Sequence, residues 1–270
     1  MSSVRIVSLH VYPVKSCAGV AVTEARVTRR GLEHDRRWMV VDERGDFVTQ
    51  RTLPRLCLLR TSFDGGGIGL TYPGAGASWL PLRADEGPRV RARVFDYEGP
   101  AIAHEAASVW ASRALGVACR FVFMPDDVES PGEAGYARPG DIVSFADAYP
   151  ALLASRSSLD DLNGRLAAPV TMSRFRPNVV VEGAPAFAED GWRRVRFGGI
   201  EWRHPKPCGR CQITTVDPAT GETSPEPLRT LSTYRRRGNS VLFAANLLPD
   251  GEGVVRVGNA LEVLEEGAFD

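Results

Sequence analysis

Two cysteines, Cys208 and Cys211, are the residues best suited to chemistry in this sequence. They lie in Lys206-Pro-Cys-Gly-Arg-Cys211, and the β-branched run Ile213 to Val216 follows. A structural zinc site needs four ligands, and His204 is the only further candidate nearby. A thioredoxin-type pair normally opens a helix, whereas the β-branched run favours a strand. The third possibility is a single thiolate that binds a soft metal, which requires only one accessible cysteine.

Basic residues beside hydroxyl and amide groups form a second pattern. Taken singly, such residues are more often solvated charges or members of surface ion pairs. Bidentate guanidinium bonds and charge-assisted hydrogen bonds are nevertheless what the oxygens of a phosphate require, so a phosphorylated cofactor would unite them. The segments are Lys15-Ser16, Asp35-Arg36-Arg37, Ser155-Arg156 and Arg174-Phe-Arg-Pro-Asn178.

The composition is that of an ordinary globular protein of 270 residues, with 43% hydrophobic and 24% charged residues. A formal net charge of zero favours neither nucleic acid nor an anionic membrane as a partner. Residues Met1 to His10 contain no long apolar run, so we expect no signal peptide, no membrane anchor and a cytoplasmic protein. The five cysteines lack the regular pairing of a secreted disulfide scaffold, and reduced thiols are expected. Motifs typical of nicotinamide-, P-loop- or zincin-type sites are not found.

Short apolar runs separated by turn residues predict a mostly β fold, based on β-barrels with a few helices. We expect two domains, residues 1–95 and residues 96–265, the second with a connecting helix from Glu105 to Leu115. A second helix is predicted from Ser157 or Ser158 to Leu166, with Ser157 and Asp160 as a capping box. The other expected elements are a hairpin at Asp64 to Gly67, an irregular loop from Pro125 to Asp141, strands at Val90 to Val94, Val179 to Val181, Val195 to Trp202 and Val254 to Leu264, and a loose end from Glu265 to Asp270.

A series of motifs, in order along nearly the whole chain, resembles the MOSC proteins that carry an N-terminal β-barrel. That family includes the mitochondrial amidoxime-reducing component. The motifs include Val11 to Val20, Gly31 to Trp38, Phe47 to Arg51, Arg138 to Asp141, Ser158 to Asn163, Arg174 to Val180, Phe187 to Trp192, the cysteine segment through Gly221, and Pro227 to Arg235.

The resemblance implies an N-terminal β-barrel domain followed by a MOSC β-barrel domain. It also implies a molybdenum–pterin cofactor, with Cys211 as the thiolate ligand of the metal and a catalytic residue, and with Asp217 as a candidate proton relay. The cofactor-binding residues that the resemblance implies are Lys15, Ser16, Arg36, Arg176 and Asn178. Two further residues are predicted to bind the cofactor: Ser155, from the basic pattern, and Asn246, in a segment where this sequence departs from the family's usual Phe-Gly.

The activity implied by the resemblance is reduction of N-hydroxylated compounds such as amidoximes, hydroxylamines and N-oxides. We expect electrons to come from a separate protein of the ferredoxin, flavodoxin or cytochrome b5 type. The alternative is a sulfur-carrier or cofactor-binding module, in which Cys211 carries a persulfide for metal–sulfur or molybdenum cofactor assembly. Pyridoxal phosphate is not expected, because the only lysines, Lys15 and Lys206, both lie in MOSC motifs.

Overall fold

The computed structural model describes residues 3–95 and 97–269. Strands dominate these residues, which confirms the prediction of a mostly β fold. The strands before the first α-helix are β1 (Arg5–Val11), β2 (Val20–Val22), β3 (Glu24–Thr28), β4 (Gly31–Leu32), β5 (Trp38–Val41), β6 (Arg60–Asp64), β7 (Gly67–Thr71), β8 (Ala77–Pro81), β9 (Arg89–Val94) and β10 (Tyr97–His104).

The second part of the chain contains the remaining strands and the α-helices. The strands are β11 (Arg120–Phe123), β12 (Ser130–Pro131), β13 (Ile142–Val143), β14 (Ala151–Ser155), β15 (Val179–Glu182), β16 (Trp192–Phe197), β17 (Ile200–Arg203), β18 (Pro207–Gly209), β19 (Arg236–Arg237), β20 (Ser240–Pro249), β21 (Gly253–Arg256) and β22 (Glu262–Glu266). The α-helices are α1 (Glu105–Leu115), α2 (Arg156–Asn163) and α3 (Leu228–Tyr234), and short 3-10 helices span Pro54–Leu58, Met172–Arg174, Ala188–Gly191 and Gln212–Thr215.

The largest sheet joins the two ends of the chain. Its order is β2-β1-β15-β14-β20-β17-β16-β22, and β18 and β19 also pair with β20. Strand β1 runs antiparallel to β15, with Leu9 opposite Val179, so an amino-terminal strand completes the carboxy-terminal sheet. The apolar faces of these strands bury Leu9, Val179 and Trp202 in one core. The Trp202 ring stacks on Phe197 with 4.9 Å between centroids.

Smaller sheets and helix α1 form a second core. One sheet has the order β5-β11-β10-β9 and another has the order β6-β7-β8. Helix α1 buries Ala107, Ala111 and Leu115, which recur at helical spacing and pack beside Trp38. The ring of His104 accepts a hydrogen bond from the Ala107 amide at the start of α1, which satisfies one of the free N–H groups there.

Several element predictions are confirmed. Helix α1 has the expected bounds, the Asp64 to Gly67 turn joins the paired strands β6 and β7, and Val179 to Val181 lies in β15. The segment Val195 to Trp202 is not one strand but the hairpin of β16 and β17, and Val254 to Leu264 is divided between the separate strands β21 and β22. The expected domain boundary falls at Asp96, which lies outside the described residues. Strands β9 and β10 pair on either side of it, with Val94 opposite Tyr97. The division into two domains stays a prediction.

Other local predictions are wrong. The segment after Cys211 is a 3-10 helix rather than a strand, because the Thr214 and Thr215 hydroxyls bond to carbonyls three residues earlier. Helix α2 is present as predicted, but it spans Arg156–Asn163, and the Ser157 hydroxyl donates to the Ala184 carbonyl instead of capping the helix. The last residues are not loose as far as Phe269, whose ring packs against the Arg193 guanidinium at 3.9 Å. Asp270 lies outside the described residues.

The loop from Pro125 to Asp141 is irregular as predicted, apart from the short strand β12. The buried side chain of Arg30 anchors it. Its guanidinium donates to the carbonyls of Val143 and Val128 and lies near that of Asp126. Buried carbonyls need partners, so a single arginine secures both the start and the end of this loop.

We expect Arg30→Ala to lower the free energy of unfolding by about 2–4 kcal/mol, because it leaves buried carbonyls without donors. The matched control is Arg26→Ala, since Arg26 is exposed and its ion pair with Glu252, outside this loop, is worth about 1 kcal/mol or less. Urea denaturation of both variants measures the difference. Equal stability losses in the two variants would contradict the anchoring role of Arg30.

Candidate functional site

A cavity of about 730 Å³ lies where the amino-terminal loops meet strands β14, β18 and β20. It brings together most of the predicted site residues, although they are far apart in sequence. Ser155 and Asp217 are not among the residues that line it. The predicted residues on its wall are Lys15, Ser16, Arg36, Arg176, Asn178, Asn246 and Cys211.

The cysteine segment leaves the main sheet at the edge of the cavity. Strand β18 has an irregular register against β20, and the chain then turns into the 3-10 helix that Cys211 precedes. Both cysteines are free thiols and partly exposed. Each sulfur has its own arginine: Arg210 Nη1 lies 3.0 Å from Cys208 Sγ, and Arg51 Nη2 lies 3.3 Å from Cys211 Sγ.

The backbone of the basic wall is strained. Ser16, Arg36 and Arg176 have φ angles of 65°, 50° and 56°, in the left-handed region that non-glycine residues seldom adopt. Such strain persists only where surrounding contacts enforce it, and it is concentrated at ligand sites. The three residues come from three separate loops, and they share this conformation at one wall of the cavity.

Arg36 and Arg176 lie beside the ring of Tyr12, at 4.7 and 4.3 Å from its centroid. Arg36 pairs with the buried Asp35, whereas Arg176 donates to the Cys17 carbonyl and has no carboxylate partner within the described residues. Burial, and then the charge of Arg36, lower the pKa of Arg176. Its Nη2 atom is buried and finds no acceptor in the described part of the chain. This wall therefore carries positive charge that an anion would neutralise.

An ion pair between the buried Lys15 and the partly exposed Asp147 also lines the cavity. Lys15 Nζ donates to the Phe145 carbonyl at 2.7 Å and pairs with Asp147, which also accepts from Arg51 at 3.2 Å. Burial lowers the pKa of Lys15 in spite of Asp147. Burial opposes ionisation of Asp147 as well, but Lys15 and the neighbouring arginines outweigh it and hold the pKa of that carboxyl well below its usual range. Asp147 is therefore an anion at neutral pH.

Asn178 has a structural function in addition to its position on the cavity wall. Its amide donates to the His10 carbonyl at 3.1 Å and to Asp35 at 2.9 Å, and its oxygen accepts from the Leu152 amide at 3.1 Å. Both N–H donors are thus used within the protein. The side-chain amide of Asn246 makes fewer hydrogen bonds within the described residues, since it donates only to the Lys206 carbonyl, at 3.2 Å.

Ser155 and Asp217 are engaged elsewhere. Ser155 is fully buried and its hydroxyl lies 2.7 Å from that of Ser157. Asp217 pairs with Arg174 at 2.9 Å and accepts from the Ala219 amide at 2.8 Å, which is the local bond of an aspartate that sets a turn. Their proposed contributions to the cofactor site and to proton transfer stay predictions.

The opposite side of the cavity has a mixed charged and aromatic rim. Lys206 pairs with Glu133 and lies 4.5 Å from the centre of the Tyr136 ring. Burial, and then the Glu133 carboxylate, raise the pKa of Tyr149, so its hydroxyl stays protonated. Glu133 and Tyr136 belong to the loop that Arg30 anchors, which the sequence identified only as an irregular segment.

Arg51 and Asp147 were not among the predicted site residues. Arg51 lies at the end of the motif Phe47 to Arg51, so a signal was present, but nothing in that motif connects it with a cysteine 160 positions later. Asp147 lies in Phe145-Ala-Asp-Ala-Tyr-Pro150, and no spacing links it to Lys15. Only the fold brings these side chains together.

His204 offers no support for zinc. It is buried, and its Nδ1 lies 2.8 Å from the Trp192 carbonyl. Across residues 3–95 and 97–269, no three histidine, cysteine, aspartate or glutamate side chains are arranged to hold a metal ion. None of the helices in these same ranges is long and apolar enough to cross a membrane.

Residues 3–118 match the model of the MOSC N-terminal beta barrel domain, and residues 140–262 match that of the MOSC domain. The mitochondrial amidoxime-reducing component 1 of Xenopus laevis is 37% identical over 96% of this chain and 82% of its own length. The human protein of that name is 35% identical over the same shares. This chain belongs to the MOSC family. The resemblance seen in its motifs is thereby confirmed.

A molybdenum cofactor sulfurase from Solanum lycopersicum is also similar to the MOSC chain. The two are 31% identical over 97% of this chain, which corresponds to only 36% of the sulfurase. The comparisons also correct one expectation. The prediction of a cytoplasmic protein is wrong, because the amidoxime-reducing relatives, which match this chain over most of their own length as well, are named as mitochondrial proteins.

We expect Asn178→Ala to destabilise the cofactor-free chain by about 2–4 kcal/mol, since it leaves the His10 carbonyl and the Leu152 amide without their partner. Asn239→Ala is the control, because Asn239 is exposed in a turn. Chemical denaturation in the absence of cofactor distinguishes the two functions of Asn178. A residue that only contacts cofactor would leave this stability unchanged.

Proposed function

We propose that the MOSC chain is a molybdenum-cofactor-dependent reductase of N-hydroxylated compounds, such as amidoximes, hydroxylamines and N-oxides. One observation carries the proposal: a single cavity presents the partly exposed Cys211 thiol together with a wall of buried, incompletely neutralised arginines. A soft thiolate suits molybdenum, and guanidinium groups suit a phosphate. The amidoxime-reducing relatives, which match nearly the whole chain, support the same conclusion.

The residues present fit a phosphorylated pterin. Within the described residues, Arg176 Nη2 and Arg210 Nε are buried donors without acceptors, and both arginines line the cavity. Leaving such donors unpaired is costly, so an anion with several oxygens would stabilise this wall. Lys15 and Arg36 add positive charge from the amino-terminal half, so both halves of the chain would hold the phosphate.

Bound there, the cofactor would supply a metal centre for two-electron reduction. Reduction of an N-hydroxylated compound breaks the N–O bond and releases the oxygen as water, which consumes two electrons and two protons. Cys211 is the proposed thiolate ligand, and Ser16, Asn178 and Asn246 complete the wall around the cofactor. Because Asp147 stays ionised, it holds Lys15 and Arg51 in place rather than supplying a proton at neutral pH. The rim with Tyr136 and Tyr149 would border the substrate.

The proposed partners are a small N-hydroxylated substrate and a separate electron-donor protein of the ferredoxin, flavodoxin or cytochrome b5 type. A second candidate, the sulfur-carrier module, rests on the match to the sulfurase, of which this chain spans about a third. The arginine-rich wall favours the reductase, since a persulfide on Cys211 needs no phosphate-binding donors.

We expect Cys211→Ala to reduce turnover of benzamidoxime by more than about 100-fold, because it removes a metal ligand. Loss of a group that only hydrogen-bonds to a metal ligand already lowers metal affinity or activity by about 10- to 100-fold. Turnover is measured with reduced viologen as the electron donor, and the benzamidine formed is quantified by chromatography. Elemental analysis measures the molybdenum content. Cys208→Ala is the matched control and should retain molybdenum, since Cys208 bonds to Arg210 on the other side of the segment.

The wild-type chain, made in a host that synthesises the cofactor, should contain molybdenum and pterin in equal amounts. A labile extra sulfur on Cys211 without any metal, detected by mass spectrometry, would support the carrier function and refute the reductase.

A further inference from the structure

Arg51 connects the amino-terminal half of the chain to the sulfur of Cys211. Its Nη2 atom lies 3.3 Å from Cys211 Sγ and 3.2 Å from Asp147 Oδ2. The link is doubled through the backbone, because Gln212 Nε2 donates to the Arg51 carbonyl at 3.2 Å. The residue before the cysteine helix and the first residue within it are thus both attached to Arg51.

The position of the Arg51 side chain is itself constrained. Asp147 holds it on one side, and Asp147 is in turn paired with the buried Lys15. The Phe95 ring lies 5.3 Å from the guanidinium carbon, and the Thr49 hydroxyl accepts from the Arg51 amide at 3.1 Å. An arginine held by a carboxylate, an aromatic ring and its own backbone loses little further freedom when it binds the sulfur.

A charged N–H group directed at a ligand sulfur affects a metal site in two ways. It selects one orientation of the cysteine side chain, and it withdraws electron density from the sulfur that the metal receives. Cys208 lacks this partner, since its sulfur is bonded to Arg210 from within the same segment. The two cysteines therefore differ in whether the amino-terminal half of the chain reaches them.

We propose that Arg51 is a positioning residue that orients the Cys211 sulfur and tunes its donation to the metal, in a chain of contacts from Lys15 through Asp147. The inference rests on the proposed function for its metal, but the contact itself exists in the protein alone. Two experiments test the Arg51–Cys211 contact and its effect on the metal separately.

The first experiment is a double-mutant cycle in the cofactor-free chain, with Arg51→Gln and Cys211→Ala singly and combined. If the sulfur is bonded to Arg51, the effects on the unfolding equilibrium constant will be non-additive by about threefold or more. The same cycle with Cys208→Ala should be additive. Additive effects at both cysteines overturn the proposal, whatever the cofactor is.

The second experiment compares Mo(V) electron paramagnetic resonance spectra of the partly reduced, cofactor-loaded chain. We expect Arg51→Gln to shift the g-values, because the sulfur loses a charged hydrogen-bond donor. Arg44→Gln is the control, since Arg44 is exposed and removes the same charge elsewhere. If Arg51→Gln takes up no cofactor, Arg51→Lys, which keeps the charge without the planar fork, is measured instead.

A variant spectrum superimposable on that of the wild type overturns the tuning function. Absence of molybdenum from the wild-type chain refutes the proposed reductase and leaves the double-mutant cycle as the test of the Arg51 contact.

Discussion

The antiparallel pairing of β1 with β15 is the constraint on which the rest of the structure depends. Leu9 opposite Val179 sets the register, and the residues that follow β1 are thereby placed beside those that precede β15. The loop after β1 carries Lys15, while Arg176 and Asn178 immediately precede β15. Because a shift of one residue would turn every side chain of β1 to the opposite face, the buried core that enforces the register also enforces the site.

The bonds of Asn178 secure this pairing at the wall of the cavity. One buried amide satisfies the His10 carbonyl, the Asp35 carboxylate and the Leu152 amide, which belong to three different segments. A buried group with this many partners is costly to replace. The wall that carries these stabilising bonds is therefore also the wall proposed to bind the cofactor, and Arg36 and Arg176, with their strained φ angles, lie beside Asn178 on it.

The cations of the cavity are only partly neutralised. Lys15 and Arg51 share one carboxylate, that of Asp147, so this group keeps one positive charge. Within the described residues, Arg176 and Arg210 have no carboxylate partner, and each has a buried donor without an acceptor. A protein with zero formal net charge thus concentrates positive potential at one cavity. The formal net charge of the whole chain did not favour nucleic acid as a partner, but it gave no information about this local positive charge, which suits a small anion.

The sequence by itself determined the fold class, helix α1, the MOSC family and the residues Lys15, Ser16, Arg36, Arg176, Asn178, Asn246 and Cys211 of the cavity wall. Those features have local signatures, namely apolar periodicity, helix ends and motifs carried by consecutive residues. Tertiary structure decided the ion pair of Asp217 with Arg174 and the contacts of Arg51 and Asp147. These depend on hydrogen bonds and ion pairs whose partners are set by packing, and Arg51 meets Cys211 across 160 positions because strand pairing, not spacing, brings them together.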